Sequence, residues 1–115
     1  MRRDIDLCRE ILLRTEKETP ILQIPDQPEA VILAHFELLV EAGFLQGQVV
    51  RSGSGQIVAA SPGRLLWAGH DFLEAARNED IWTKAKNRIL LTGGAWTFDL
   101  LKTLLVELAK KNLMP

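Results

Sequence analysis

Along residues 4–18 apolar positions recur with a helical period. At 100° per residue, Ile5, Leu7, Cys8, Ile11, Leu12 and Thr15 share one arc, and Asp6, Arg9, Glu10, Arg14 and Lys17 lie opposite. The pattern predicts a first helix, with Glu10 and Arg14 four apart in the favourable order and Pro20 stopping it. The run "ILQIP" then predicts a short strand closed by Pro25. A second helix is predicted over residues 26–42, with Asp26 as N-cap, Pro28 in the first turn and Glu29 three residues past the cap. Gly43 supplies a left-handed end. Its apolar arc holds Val31, Ile32, Phe36, Leu38, Leu39 and Ala42, and also His35.

Two β-rich runs, residues 48–51 and 56–59, flank Ser52-Gly53-Ser54-Gly55 and predict a hairpin with a flexible tip. "RLLW" is a candidate third strand. From there the pattern is helical again: residues 69–77, a joint or cap at Asn78, residues 80–90 with Trp82, Ala85 and Ile89 on one side, and a break at Thr92-Gly93-Gly94. Thr97 caps a last predicted helix reaching residue 112, with Asp99 in its first turn and Lys110 and Lys111 in its last, in line with the macrodipole. There is no internal repeat or low-complexity tract. The fold class predicted is helix-rich α+β, a winged-helix-like domain with a β-hairpin wing and appended C-terminal helices. Residues 1–115 are expected to form a single domain: a helix-strand-helix-wing core over 1–68 and a helical part over 69–115. Only one helix fits between Pro25 and Gly43, so the helix-turn-helix is incomplete.

The 115 residues are 47% apolar and 25% charged, a globular composition long enough to bury a core. No run approaches the ~20 apolar residues of a membrane helix. Asp4, Asp6, Arg9 and Glu10 interrupt the start, so no signal peptide is expected, and the cytoplasm is the expected compartment. The single Cys8 excludes an internal disulfide. Fourteen basic against fifteen acidic residues give a net charge of −1, without the basic excess usual in nucleic-acid binders.

Three stretches, "RDIDLCREILL", "HFELLVEAGFL" and "LLWAGHDFLEAARNEDIWTKAK", together resemble the bacterial and prophage domain-of-unknown-function family 2513. The motif Gly69-His70-Asp71-Phe72-Leu73, followed by Arg77 and Trp82, is the most specific part, and the glycine pair and tail at residues 93–113 fit as well. The resemblance implies a winged-helix-like fold and transfers no catalytic group. Leu66 and Ala68 stand where the family more usually has Thr and Glu. The middle stretch also resembles, over a short span, recognition helices of winged-helix transcription regulators.

Adjacent His70 and Asp71 would need further histidines for a metal site, and His35 lies on another helix. Gly69, His70, Asp71, Phe72 and Trp82 are therefore expected to be structural. Asp71 is placed in the first turn of its helix, with Phe72 and Leu73 in the core. His35 is expected to be a hydrogen-bonded core residue. Ser52, Ser54 and Ser61 lack a nucleophile elbow or phosphate-loop context, and Glu79-Asp80 sit at a helix start. No catalytic, cofactor or metal residue is expected, and the chain is read as a non-enzyme. The second helix is expected to turn Glu29, Leu33, Glu37 and Glu41 outward, a face unable to read bases and a possible protein-docking face. Arg51, Ser52, Ser54 and Arg64 are candidate wing contacts to nucleic acid. Leu101, Leu105 and Leu108 are candidates for a homodimer helix. The leading expectation is a non-enzymatic regulatory module binding a protein partner. The alternative is a transcriptional regulator contacting DNA through its wing.

Overall fold

Asp4 opens the first helix, α1 (Ile5–Glu16), by accepting the Leu7 amide at 3.1 Å, and Lys17 closes it. Leu7, Cys8, Ile11, Leu12 and Thr15 are its buried residues, the expected arc with Ile5 only half-buried. The Thr15 hydroxyl donates to the Ile11 carbonyl at 2.8 Å, which lets a polar side chain sit in the core. Arg14 pairs with Glu10 at 2.9 Å and also donates to the Pro20 carbonyl at 3.0 Å, tying the helix end to the next turn. This computed structural model describes residues 3–91, 93 and 96–113.

The expected strand at "ILQIP" is instead a single 3₁₀ turn, Ile21–Gln23. Ile21 and Ile24 are buried while Leu22 and Gln23 are exposed. A three-residue spacing puts the two isoleucines on one side of a 3₁₀ turn, and strand alternation would split them. Helix α2 (Glu29–Glu41) takes Pro28 as its N-cap residue and has no side-chain cap. Asp26 does not cap it: it adopts φ 62° in the turn before, a left-handed conformation open to Asp. Ala42 is the C-cap and Gly43 follows at φ 79°, the left-handed end expected.

Strands β1 (Leu45–Arg51) and β2 (Ile57–Leu65) pair antiparallel in a two-stranded sheet. Leu45 faces Leu65, Gly47 faces Pro62 and Val50 faces Ala59, with irregularities between Leu45 and Gly47 and between Val50 and Arg51. The hairpin is longer than its composition predicts, because β2 runs straight through Ser61-Pro62-Gly63. In a sheet of two strands each has a free edge, where proline's missing donor breaks no ladder bond. Arg64 and Leu65 end β2, so "RLLW" adds no third strand. Helix α1 packs on α2 and β2, and α2 also packs on β1 and the 3₁₀ turn.

Helix α3 (Trp67–Ala76) begins two residues earlier than expected. Helix α4 (Glu79–Leu91) is capped as expected by Asn78, whose Oδ1 accepts the Asp80 and Ile81 amides at 2.9 and 3.1 Å. Helix α5 (Phe98–Leu113) is capped by the Thr97 hydroxyl, which accepts the Leu100 amide at 3.1 Å. Of the expected break, Gly93 has φ 81°, and Thr92 and Gly94 lie outside the described residues. Among the described residues five helices and one hairpin make the chain helix-rich α+β, the class predicted.

Two compact units divide the chain, residues 1–70 and 71–115, with the boundary inside α3. In the first, the core gathers Leu7, Ile11, Leu12, Phe36, Leu39 and Leu45, each almost without exposure. Each such side chain contributes about 1.5–3 kcal/mol through removal from water. In the second, α4 packs on α5 and an aromatic cluster runs through Phe72: edge to face with Trp82 at 6.1 Å and with Phe98 at 6.3 Å, the latter against Trp96 at 5.2 Å.

Candidate functional site

Helix α2 and the hairpin carry most of the residues that the sequence marks. The expected outward stripe at four-residue spacing is interrupted. Leu33 is only 3% exposed and belongs to the core, because α1, the 3₁₀ turn and both strands pack on α2 and bury an arc wider than one side. Glu29 and Glu41 are exposed as expected. Glu37 is half-buried and turned to the hairpin, where Oε2 pairs with Arg51 Nη2. The same guanidinium donates through Nη1 to the Gly55 carbonyl at 2.8 Å. Arg51 thus braces the hairpin tip against α2, and its charge is met by Glu37.

The tip itself is closed by its own bonds. The Ser52 amide donates to the Gln56 carbonyl at 2.8 Å, the Gly55 amide donates to the Ser52 carbonyl at 2.9 Å, and the Ser52 and Ser54 hydroxyls lie 2.9 Å apart. Arg64 is exposed, and its side chain has no hydrogen bond or ion pair among the described residues. The two wing arginines, both exposed, therefore differ by pairing: Arg51 is bound within the chain, and Arg64 has no partner among the described residues.

His35 is fully buried and satisfied at both nitrogens. Asp4 N–H donates to Nε2 at 2.9 Å, and Nδ1 lies 2.8 Å from the Val31 carbonyl. This geometry calls for the neutral ring with its hydrogen on Nδ1. The histidine fastens the start of α1 to α2, a core role as expected. Cys8 is also buried, and burial, with a smaller contribution from Asp4, pushes its thiol up to about 12 from an ordinary 9.0.

The Gly69-His70-Asp71 motif divides by burial. A Cβ on Gly69 would overlap the Phe44 carbonyl oxygen, the same oxygen that accepts the Leu66 amide at 2.9 Å, so only glycine lets α3 approach this closely. His70 is exposed, and its amide donates to the Leu66 carbonyl at 3.0 Å. Asp71 is not in the first turn of α3, which holds no acidic residue. The helix starts at Trp67, so Asp71 falls in its second turn, exposed and 3.9 Å from Lys102 Nζ. Phe72, Leu73 and Trp82 are core residues as expected. Among the described residues no group of three His, Cys, Asp or Glu side chains is placed to hold a metal ion.

Leu101 and Leu105 have no exposure and Leu108 has 7%. They are buried in the chain's own core. Leu100 and Val106 on the same helix stay exposed, by 39% and 36%.

Trp67 is the residue that the sequence reading missed. It opens α3 with 82% of its surface exposed. Assigning "RLLW" to a strand hid it. On a helical wheel begun at Trp67, its side chain stands opposite Phe72, Leu73 and Ala76, the face that α3 buries. Val50 and Val58 on the hairpin are exposed by 53% and 55%.

The fold defines a class, helix-rich α+β with one antiparallel hairpin. The chain belongs to the family described as "Hypothetical protein (DUF2513)", which matches residues 2–95. It is 32% identical over 96 residues to an uncharacterized protein of Haemophilus influenzae (strain ATCC 51907 / DSM 11121 / KW20 / Rd), covering 77% of this chain and 79% of that one. No solved structure matches the chain significantly. No described helix is long and apolar enough to cross a membrane.

Proposed function

We propose that this chain is a non-enzymatic interaction module of the bacterial or prophage cytoplasm, regulatory in role, which binds a protein partner through the surface around Trp67. Trp67 carries the reading. A tryptophan held 82% exposed on the first turn of a helix is a large, rigid anchor with few torsions to freeze, the type of side chain that dominates protein interfaces. Exposed Val50 and Val58 add apolar surface on the hairpin. Glu29 and Glu41 leave α2 acidic on its open side. The order of α1, α2 and hairpin supports a winged-helix-like arrangement, with α2 directly before the wing as a recognition helix would be. Its acidic exterior and the engagement of Arg51 by Glu37 favour protein over DNA as the partner.

Affinity purification of the full chain from its native bacterium tests this reading. A stoichiometric protein partner retained by the wild type and lost with Trp67→Ala, at unchanged circular dichroism, is the expected result. Absence of such a partner contradicts it.

A second reading rests on Arg64, the exposed wing cation without a partner among the described residues. A transcriptional regulator using it would hold duplex DNA by the phosphate backbone or minor groove. Gel shifts on genomic fragments at low salt decide it: retardation removed by Arg64→Ala supports DNA binding, and no retardation at micromolar protein ends it.

A further inference from the structure

Residues 71–115 hold seven basic and six acidic residues, against seven and nine in residues 1–70. Three of those cations converge. Lys84 and Arg88 stand one turn apart on α4, and Lys111 lies in the last turn of α5, around a cleft of about 350 Å³. Its floor is Ile81 and Leu108, both nearly buried, and no acidic residue lines it. None of the three cations has a hydrogen bond or ion pair among the described residues.

The helix dipoles account for part of this. Arg88 and Lys111 sit in last turns, where positive charge is stabilised. Lys84 lies in the middle of α4, where the dipole gives nothing, with Asp80 four residues before it and the like charge of Arg88 four residues after. The α4 wall of the cleft begins at Ile81 in the first turn, where Asn78 Oδ1 already accepts the Asp80 and Ile81 amides, and α5 contributes its C-terminal end. These amides are therefore not offered to a compact phosphate, and phosphate or nucleic acid would leave the isoleucine–leucine floor unused. Lysine and arginine heads on flexible stems above an apolar floor suit carboxylates spread beside an apolar side chain.

We infer that the α4–α5 cleft docks an acidic segment of a partner protein, one apolar side chain resting on Ile81 and Leu108 and its flanking carboxylates meeting Lys84, Arg88 and Lys111. The inference rests on the reading of the chain as a protein-binding module but on residues separate from Trp67.

The test is an NMR titration of the isotopically labelled full chain with two four-turn synthetic peptides. One carries leucine at four-residue spacing among glutamates, and the other has serine in place of leucine. The leucine peptide is expected to give saturable shifts centred on Ile81, Lys84, Arg88, Leu108 and Lys111. The serine peptide, and the Lys84→Glu/Arg88→Glu variant, are expected to bind at least about tenfold more weakly. Lys111→Glu, on the other helix, is expected to weaken binding in the same direction. Both variants change exposed positions, and thermal melts confirm that they fold. Trp67→Ala is expected to bind the peptide as the wild type does, so loss of the Trp67 surface and loss of the cleft are told apart. No saturable shift, shifts centred elsewhere, equal binding of the serine peptide, or the same shifts from inorganic phosphate or a short DNA duplex would each overturn the inference.

Discussion

Gly69 shows how one position can carry a local fold. A side chain there would meet the Phe44 carbonyl oxygen, a backbone atom that cannot swing aside. Gly69→Ala is expected to lower stability by about 2 kcal/mol, within the range for overpacking and against alanine's better helix propensity; urea unfolding measures it. The sequence marks this glycine by its place in a motif, and the reason for it lies in a long-range approach that no local pattern encodes. Leu33 is a similar case. Its wheel position is outward only if one side of α2 is covered, and four elements cover it. Cys8 was legible as apolar and its consequence is chemical. With its thiol pushed up to about 12, the folded chain is expected not to react with a disulfide reagent at pH 8 until denatured. The sign for stability follows: between pH 9.0 and about 12 the unfolded thiol loses its proton first, so stability is unaffected below pH 9.0 and falls as pH rises through that window.

Elements were read best where their ends carry their own chemistry. Asn78 and Thr97 cap as their sequence positions imply, and α1 keeps its predicted face. Asn78→Ala is expected to cost about 1 kcal/mol, the usual value of a cap, in a thermal or urea melt. Errors came where one local rule competed with another. Ser61-Pro62-Gly63 reads as a turn, yet the free edge of a two-stranded sheet accommodates it and β2 continues. "ILQIP" reads as a strand, yet it has no strand to pair with and buries its isoleucines by a turn. The Glu37–Arg51 bridge joins α2 to the hairpin across fourteen positions, and no spacing rule reaches that far. Both partners are partly exposed, so a double-mutant cycle with Glu37→Gln and Arg51→Met is expected to return a coupling of at most about 1 kcal/mol, reduced at high salt. Its effect is to tie the hairpin to α2 and to pair one exposed wing cation.

At the scale of the whole molecule, overall charge gave a correct but coarse picture. A net charge of −1 conceals an acidic first part and a slightly basic second part. Helix-rich α+β was legible from periodicity, and the family from three quoted stretches. The exposed tryptophan and the cationic cleft were not, because exposure and concavity depend on which faces the fold uses. The same dependence decides that Leu101, Leu105 and Leu108, the expected dimer residues, serve the interior. What remains is a surface with acids on α2, a tied arginine at the wing, and Trp67 standing free of the core. Site-specific photocrosslinking in the native bacterium, with benzoylphenylalanine in place of Trp67, tests the protein-facing reading of that surface most directly. A discrete protein adduct from this position is the predicted result; adducts to nucleic acid, or none at all, would contradict it.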